Sequence, residues 1–406
     1  MQHVPRVAFF PDSFHEVNGV AHTSRNFEQF AARQSLPFLC VRAGTRSQAL
    51  EKRGSLWTLE LPRSAFSIPL ERDLTFDPLY FRHIPLVEQT LDEFAPDIVH
   101  ITGPSDLGVL GAAIAHHHGI SLAASWHTNV HEYAARRFAH LFRVFPQTSP
   151  LGAAFTIEAC AMEIAAALYS TAQVLFAPNP QLCRHLEEAT GRRCFLMRRG
   201  VDCRQFAPHT RTRPANDDIA VLGFVGRLSV EKNVRLLARI HRELRDAGCA
   251  HCKFKIVGHG AEESWLRQNL PGAEFTGVLK GERLAAAYAD MDLLVFPSHT
   301  DTFGNVVLEA LASGVPAIVT RDGGPASIVR DNETGRIVAD ADFPPAILSL
   351  LADPATHARM RIAARSHALA ATWDQVFEHV YRGYHLIAGI PQASSARYSQ
   401  ELPDLK

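Results

Sequence analysis

The chain has 406 residues, 47% of them apolar and 20% charged, with ordinary glycine and proline usage. That length exceeds what one core usually serves and predicts two or three domains, and the composition excludes a disordered or fibrous chain. A formal net charge of −1 excludes recognition of nucleic acid through bulk positive charge, so any anion site must be local.

The opening stretch MQHVPRVAFFPDSF has no apolar run long enough for a signal peptide, and its short run at 6–11 reads as a first strand. Asn18-Gly19 forms a turn after that strand and leads into a helix over 20–34, so an anion can lie over the glycine. Strands follow at 36–43, 97–102, 121–128 and 173–179, with helical patterns between them, among them 106–118. Gly119 closes that helix as its C′ residue. The run His116-His117-His118 before it suits the helix dipole better than a metal site. Just after the strand at 121–128, the sequence SWHTN places His127 at a strand terminus with Asn129 beside it. The segment RRFAHLFRVF (136–145) carries Phe138, Leu141, Phe142 and Phe145 on one helical face, with Arg136, His140 and Arg143 opposite. Such a helix either lies on an anionic membrane or packs on its own domain.

The polar stretch PHTRTRPANDD (208–218) has no apolar period and predicts a linker. It separates an N-terminal domain over 1–207 from a second domain over 219–372, which holds strands at 219–226, 254–258, 292–298 and 315–320. A final helical stretch at about 373–390 is expected to cross back onto the first domain, and the tail after Pro391 is polar. Continuous apolar strands alternating with helices imply parallel sheets covered on both faces. The predicted fold class is therefore α/β, with two Rossmann-like doubly wound domains whose strand ends face one cleft. No window approaches the length of a membrane span. Seven cysteines at irregular spacing fit free thiols in a reducing cytoplasm, and Cys249-x-x-Cys252, without a second pair, reads as ordinary thiols near a strand start.

Chemistry should be sought just after strands. In GFVGRLSVEKN, Gly226 ends a strand, and Arg227 and Lys232 flank the loop into a helix with apolar positions Val234, Leu237, Ile240 and Leu244. A fork, a point charge and a helix N-terminus suit a diphosphate; solvated charges on a surface loop are the competing reading. In IVGHGAEESWL, Gly258 and Gly260 let the backbone approach a ligand, or make a bare glycine turn; Glu263 stands where a dinucleotide fingerprint needs its last glycine. In PSHTDTFGNVVLEALASG, Asp301 lies in a loop and Gly304 starts a helix carrying Glu309 toward its apolar face. A sunken carboxylate there either grips a vicinal diol such as a ribose or pairs with a buried arginine, with Asp301 reaching a second ring or capping the helix. The N–H groups of Phe303, Gly304, Asn305 and Val306 open the same helix.

Together, Asn18-Gly19, His127, Arg227…Lys232 and Asp301-x7-Glu309, with RGVD…F at 199–206, resemble the retaining family-four glycosyltransferases of the two-Rossmann GT-B fold. The resemblance spans nearly the whole chain and is closest in feel to GDP-mannose-dependent α-mannosyltransferases. It departs at Asp301, where the family usually carries Glu. The resemblance implies that Arg227 and Lys232 hold the donor's diphosphate, Glu309 the ribose, and Asp301 with Phe303, Gly304 and Asn305 the donor sugar. It implies that Gly19 underlies the phosphates, that His127 stands beside the reacting sugar, and that the loop Thr276, Gly277, Val278 and Leu279 meets the base. It further implies a metal-independent, cofactor-free hexosyl transfer with retention, from GDP-mannose or a UDP-hexose to a lipid or glycan. The expected location is cytoplasmic, with 136–145 as a peripheral contact at the inner membrane face. The rivals are a UDP-sugar epimerase or hydrolase of the same fold, and a catalytically silent subunit that binds sugar nucleotides.

Overall fold

A computed structural model describes residues 4–16, 19–44, 47–71, 74–127, 163, 166–214, 217–249 and 251–388. The chain forms two compact units, divided between Arg198 and Arg199 and again inside the last helix between Val376 and Phe377. Among the described residues no helix is long and apolar enough to cross a membrane. Asn18, Asn129 and the amphipathic segment 136–145 lie outside the described residues.

The first unit is built on an eight-stranded sheet in the spatial order Cys194–Leu196, Val174–Ala177, Ser121–Ser125, Ile98–Ile101, Val7–Phe10, Phe38–Gly44, Leu56–Pro62, Ala49–Arg53. Its neighbours are parallel except the last two strands, which pair antiparallel. Val7–Phe10 reads VAFF and is buried throughout, as a central strand covered on both faces requires. Phe27, on the helix Gly19–Arg33, lies edge-on to Phe9 at 5.2 Å and stacks on Phe377 of the helix Trp373–Ile387 at 4.4 Å. Tyr384 of that helix meets the buried ring of His100, whose pKa burial pushes down to about 3. The aromatic face Phe377, Tyr381 and Tyr384 thus seals this core by the i, i+4, i+7 spacing of one helix side.

The second unit has a six-stranded sheet in the order Glu274–Gly277, Cys252–Val257, Ala220–Val225, Leu293–Phe296, Ala317–Thr320, Gly335–Val338, and each pair is parallel. Numbered along this unit, the order is 3-2-1-4-5-6. The chain therefore reverses direction across the sheet between Ala220–Val225 and Leu293–Phe296, and a doubly wound sheet binds ligands beyond the strand ends at that switch point. In the helix Arg235–Asp246, Leu237, Ile240 and Leu244 are buried, and Val234, also buried, caps it. Gly223 lets the central strand pass Met291, because an added Cβ would fall 1.9 Å from the methionine sulfur.

Two sequence expectations change here. Cys249 and Cys252, expected as free thiols, form a disulfide, since the turn after Arg235–Asp246 brings their Cα atoms to 5.7 Å and that separation suits a bridge; Cys40, Cys183, Cys194 and Cys203 are free. The stretch expected as a linker is tied down along its first half. Thr212 and Arg213 donate backbone N–H groups to Asp290 at 2.7 and 2.9 Å, and Arg213 pairs with Asp292 at 3.0 Å.

Candidate active site

At the switch point of the second unit, the loop after Ala220–Val225 and the loop after Leu293–Phe296 stand side by side. The first runs from Gly226, at φ 150°, through Arg227 into a short 3-10 turn at Val230–Lys232. Arg227 is exposed, and among the described residues its guanidinium makes no hydrogen bond or ion pair. Lys232 is half-buried, lies 5.8 Å from the centre of the Phe296 ring, and pairs directly with the Asp301 carboxylate. Asp301 Oδ2 is buried and unbonded among the described residues. Two motifs some seventy positions apart, one cationic and one acidic, thus meet in one ion pair.

Two further loops buttress this site. Gly226 N–H donates to Val257 O at 3.0 Å, Leu228 N–H to His259 O at 3.0 Å, and Gly258 N–H to Gly277 O at 2.9 Å. A Cβ on Gly258 would fall 1.9 Å from Gly226 O, and one on Gly260 would fall 2.2 Å from Leu228 O. The two glycines therefore admit the neighbouring loop's backbone, which holds the Arg227 loop in place. Thr276 donates its hydroxyl to Gly277 O at 3.0 Å, Val278 is 67% exposed, and Leu279 packs on the core edge. On the other flank, His299 bridges Asp322 at 3.1 Å and Asp340 at 3.0 Å, and Asp340 also accepts from Asn233, the residue after Lys232, at 3.1 Å. Gly324 N–H donates to Asp301 O at 2.7 Å, and its missing side chain admits Thr302 O.

Gly304, at φ 93°, turns the chain into the helix Asn305–Ala312, a left-handed conformation that glycine adopts without a Cβ penalty. Phe303 is buried ahead of it, and Asn305 and Val306 supply first-turn N–H groups that lack helical acceptors. Among the described residues Glu309 meets no arginine. Its Oε2 accepts the hydroxyl proton of Tyr288 at 2.7 Å, and burial pushes its pKa up to about 7 against the lowering effect of that bond. Because the folded protein holds this proton more tightly than the unfolded chain, stability falls as pH rises from about 4.5 to about 7. The charged carboxylate then costs roughly 3 kcal/mol. Glu309→Gln is expected to raise the melting temperature relative to the parent at pH 8 and to leave it nearly unchanged at pH 5. Equal differences at both pH values would remove the burial account.

In the first unit, Gly19 opens its helix and is exposed, and His127 is buried with Nε2 2.6 Å from Ser125 Oγ. Sequence reading passed over Asp12, although it follows the first strand by two residues. Its N–H donates to Thr102 Oγ1 at 2.7 Å, and Ser105 Oγ donates to its Oδ1 at 2.5 Å. Burial pushes its pKa up to about 6, with Asp106 adding to the rise and Ser105 opposing it. Gly103 makes the room, since a Cβ there would fall 1.9 Å from Asp12 Oδ2. Asp12 lies at the end of Val7–Phe10 and Ser105 beyond Ile98–Ile101, the pair at which this sheet's strand order also reverses. Two groups of potential metal ligands lie among the described residues: Cys249, His251 and Cys252, whose two sulfurs are joined in the disulfide and offer no thiolate, and Glu88, His117 and His118. The first cluster begins a strand and the second ends a helix that returns from the strand ends, so neither lies at the sheet edge that carries the loops above.

A family profile described as Glycosyl transferases group 1 matches residues 219–353. The chain is 34% identical over 315 residues, 75% of its own length and 77% of the relative's, to a GDP-mannose-dependent alpha-mannosyltransferase of Mycolicibacterium smegmatis. It is 30% identical over 398 residues, 95% of its length and 90% of the relative's, to a protein of the same name from Corynebacterium glutamicum. A solved sucrose-phosphate synthase from Thermosynechococcus elongatus superposes with a TM-score of 0.69 at 19% identity, covering 94% of this chain and 98% of that one.

Proposed function

The chain belongs to the group 1 glycosyl transferases and has the GT-B fold, and from that premise we propose that it moves mannose from GDP-mannose to a lipid or glycan hydroxyl with retention. As a member of that family it is a transferase acting on a nucleotide sugar. The choice of GDP-mannose rests on the names of the two relatives, which align over 75% and 95% of the chain.

The Lys232–Asp301 ion pair at the switch point carries the assignment of roles. It brings a cation suited to a diphosphate beside a carboxylate suited to the hydroxyls of the attached sugar. In this reading Arg227 and Lys232 hold the diphosphate, Glu309 the ribose, Thr276–Leu279 the base, and Asp301 with Phe303–Val306 the hexose. Gly19 with Asn18 underlies the phosphates, and His127 with Asn129 flanks the reacting sugar. As the bond from the anomeric carbon to the phosphate oxygen breaks, its electron pair leaves with the diphosphate. The acceptor oxygen bonds the same carbon from the same face, and its proton passes to the departing phosphate. Preorganised cations at the leaving oxygens stabilise the charge that develops there, and one such contact is worth roughly 3 to 4 kcal/mol. A lipid acceptor would bring the protein to the inner membrane face, with 136–145 as the candidate contact.

Thermal-shift measurements with GDP, GDP-mannose, UDP-glucose and UDP-N-acetylglucosamine test the donor. A ligand at a hundred times its Kd stabilises by about 2.7 kcal/mol, so GDP-mannose should raise the melting temperature by several degrees and the uridine compounds should not. GDP release that depends on an added acceptor supports transfer; release without acceptor marks a hydrolase, and a response to UDP-sugars alone overturns GDP-mannose.

A further inference from the structure

The Glu309 carboxylate has no cationic partner among the described residues, and its one hydrogen bond there comes from Tyr288. Tyr288 lies on the helix Gly281–Ala289, is fully buried, and sits edge-on to Phe206 at 5.6 Å. Its ring is therefore immobilised, and the direction of its hydroxyl is set by core packing. Glu309 lies on an eight-residue helix whose Val307, Leu308, Ala310 and Leu311 are buried. Those contacts fix the Glu309 backbone and leave its own three side-chain torsions to be held by whatever its carboxyl group meets.

We infer that Tyr288 is a positioning residue of the donor site: it pins Glu309 Oε2 and so presents Oε1 to the nucleotide's ribose diol. The inference rests on the reading of Glu309 as the ribose carboxylate and extends it to a residue that never touches donor. A phenol that donates to a carboxylate also favours its charged form, which is the form that accepts hydroxyl hydrogens from a diol. The elements packed around Glu309 bring no charge to compete. The strands Leu293–Phe296 and Ala317–Thr320 and the remainder of its own helix carry no ionisable side chain. Glu282 and Arg283, at the start of Gly281–Ala289, are exposed. On the helix Pro354–Leu369, His357, Arg361 and Arg365 are bound to the carbonyls of Asp292, Met291, Ala312, Phe206 and Cys203.

The test compares the full-length protein with Tyr288→Phe, Glu309→Gln and the double variant, measuring GDP binding by calorimetry from pH 6 to pH 9. Tyr288→Phe keeps the ring and removes one hydroxyl, and a melting curve checks that the fold is retained. GDP affinity should fall about three- to tenfold at pH 7, the net worth of one ordinary intramolecular hydrogen bond. The deficit should shrink toward pH 9, where Glu309 is ionised in both proteins, and kcat at saturating donor should stay within about twofold. In the Glu309→Gln background the same change should add nothing. No loss at all while Glu309→Gln weakens GDP, or an equal loss in the Glu309→Gln background, overturns the role of Tyr288. Wild-type GDP affinity in Glu309→Gln overturns the ribose reading itself, so the two failures are distinguishable.

Discussion

Lys232→Ala should lower kcat/KM for donor by about 10²- to 10³-fold, the loss typical of removing one preorganised charge contact at a leaving group. Lys232 ends the 3-10 turn Val230–Lys232 and contributes nothing to the apolar core; its ammonium contacts are Asp301 and the Phe296 ring face. Removing it leaves the fold in place and takes away the half-buried cation of the loop. Exposed Arg227 remains, which is why residual turnover is expected. The substitution also frees the Asp301 carboxylate from its partner, and under the proposed roles an anion left near the diphosphate would weaken donor binding further. Lys232→Arg keeps the charge in a larger, planar group and should retain more activity than the alanine variant. Kinetics alongside melting curves separate the outcomes. A folded Lys232→Ala protein with the parent's rate would remove the leaving-group assignment.

Gly258→Ala should cost both stability and activity. Its φ is 139°, a region L-residues rarely adopt, and the new Cβ would fall 1.9 Å from Gly226 O and 2.9 Å from Gly226 C. Both obstacles are backbone, so no side chain can swing aside. Relief requires parting the loops after the two central strands and loosening the bonds Gly226 N–Val257 O and Leu228 N–His259 O, each 3.0 Å. Strain of this kind costs roughly 2 to 4 kcal/mol, and the displaced loop is the one that carries Arg227. Gly272→Ala supplies the comparison: its φ is 79°, yet a Cβ there meets nothing within 4 Å, so only the conformational penalty of roughly 1 kcal/mol remains. Denaturation midpoints and GDP affinity of the two variants should differ strongly. Equal effects would show that the loop contact has no part in the site.

The metal-capable clusters and the disulfide illustrate how far spacing alone reaches. His116–His118 stand in the last turn before Gly119, at φ 65°, as the sequence implied. The bridge between Cys249 and Cys252 depends instead on how a helix end meets a strand start, which no cysteine count reports.

The sequence by itself determined the central strands, the helices behind them and the loops that follow those strands. A strand buried on both faces must be apolar throughout, and VAFF, IVHI, AVLGFV and LLVF announce themselves. The strands it left unread are Ala49–Arg53, Leu56–Pro62, Cys194–Leu196, Glu274–Gly277, Gly335–Val338 and the hairpin Ile68–Glu71 with Leu74–Phe76; the first five lie at or next to a sheet edge. There water replaces half the packing, so residues such as Glu51, Lys52 and Glu274 are tolerated and the apolar signal disappears. Arg227, Lys232 and Asp301 stood out as candidates because loops after parallel strands are where polar groups gather, and Glu309 because a carboxylate interrupts an otherwise apolar helix. Asp12 obeyed the same rule and was visible by it. What only the tertiary structure decided is which groups meet. Lys232 finds Asp301, Gly258 admits Gly226, and Glu309 finds Tyr288 from another helix, because side-chain partnership depends on the winding of the sheet, and local spacing carries no record of that.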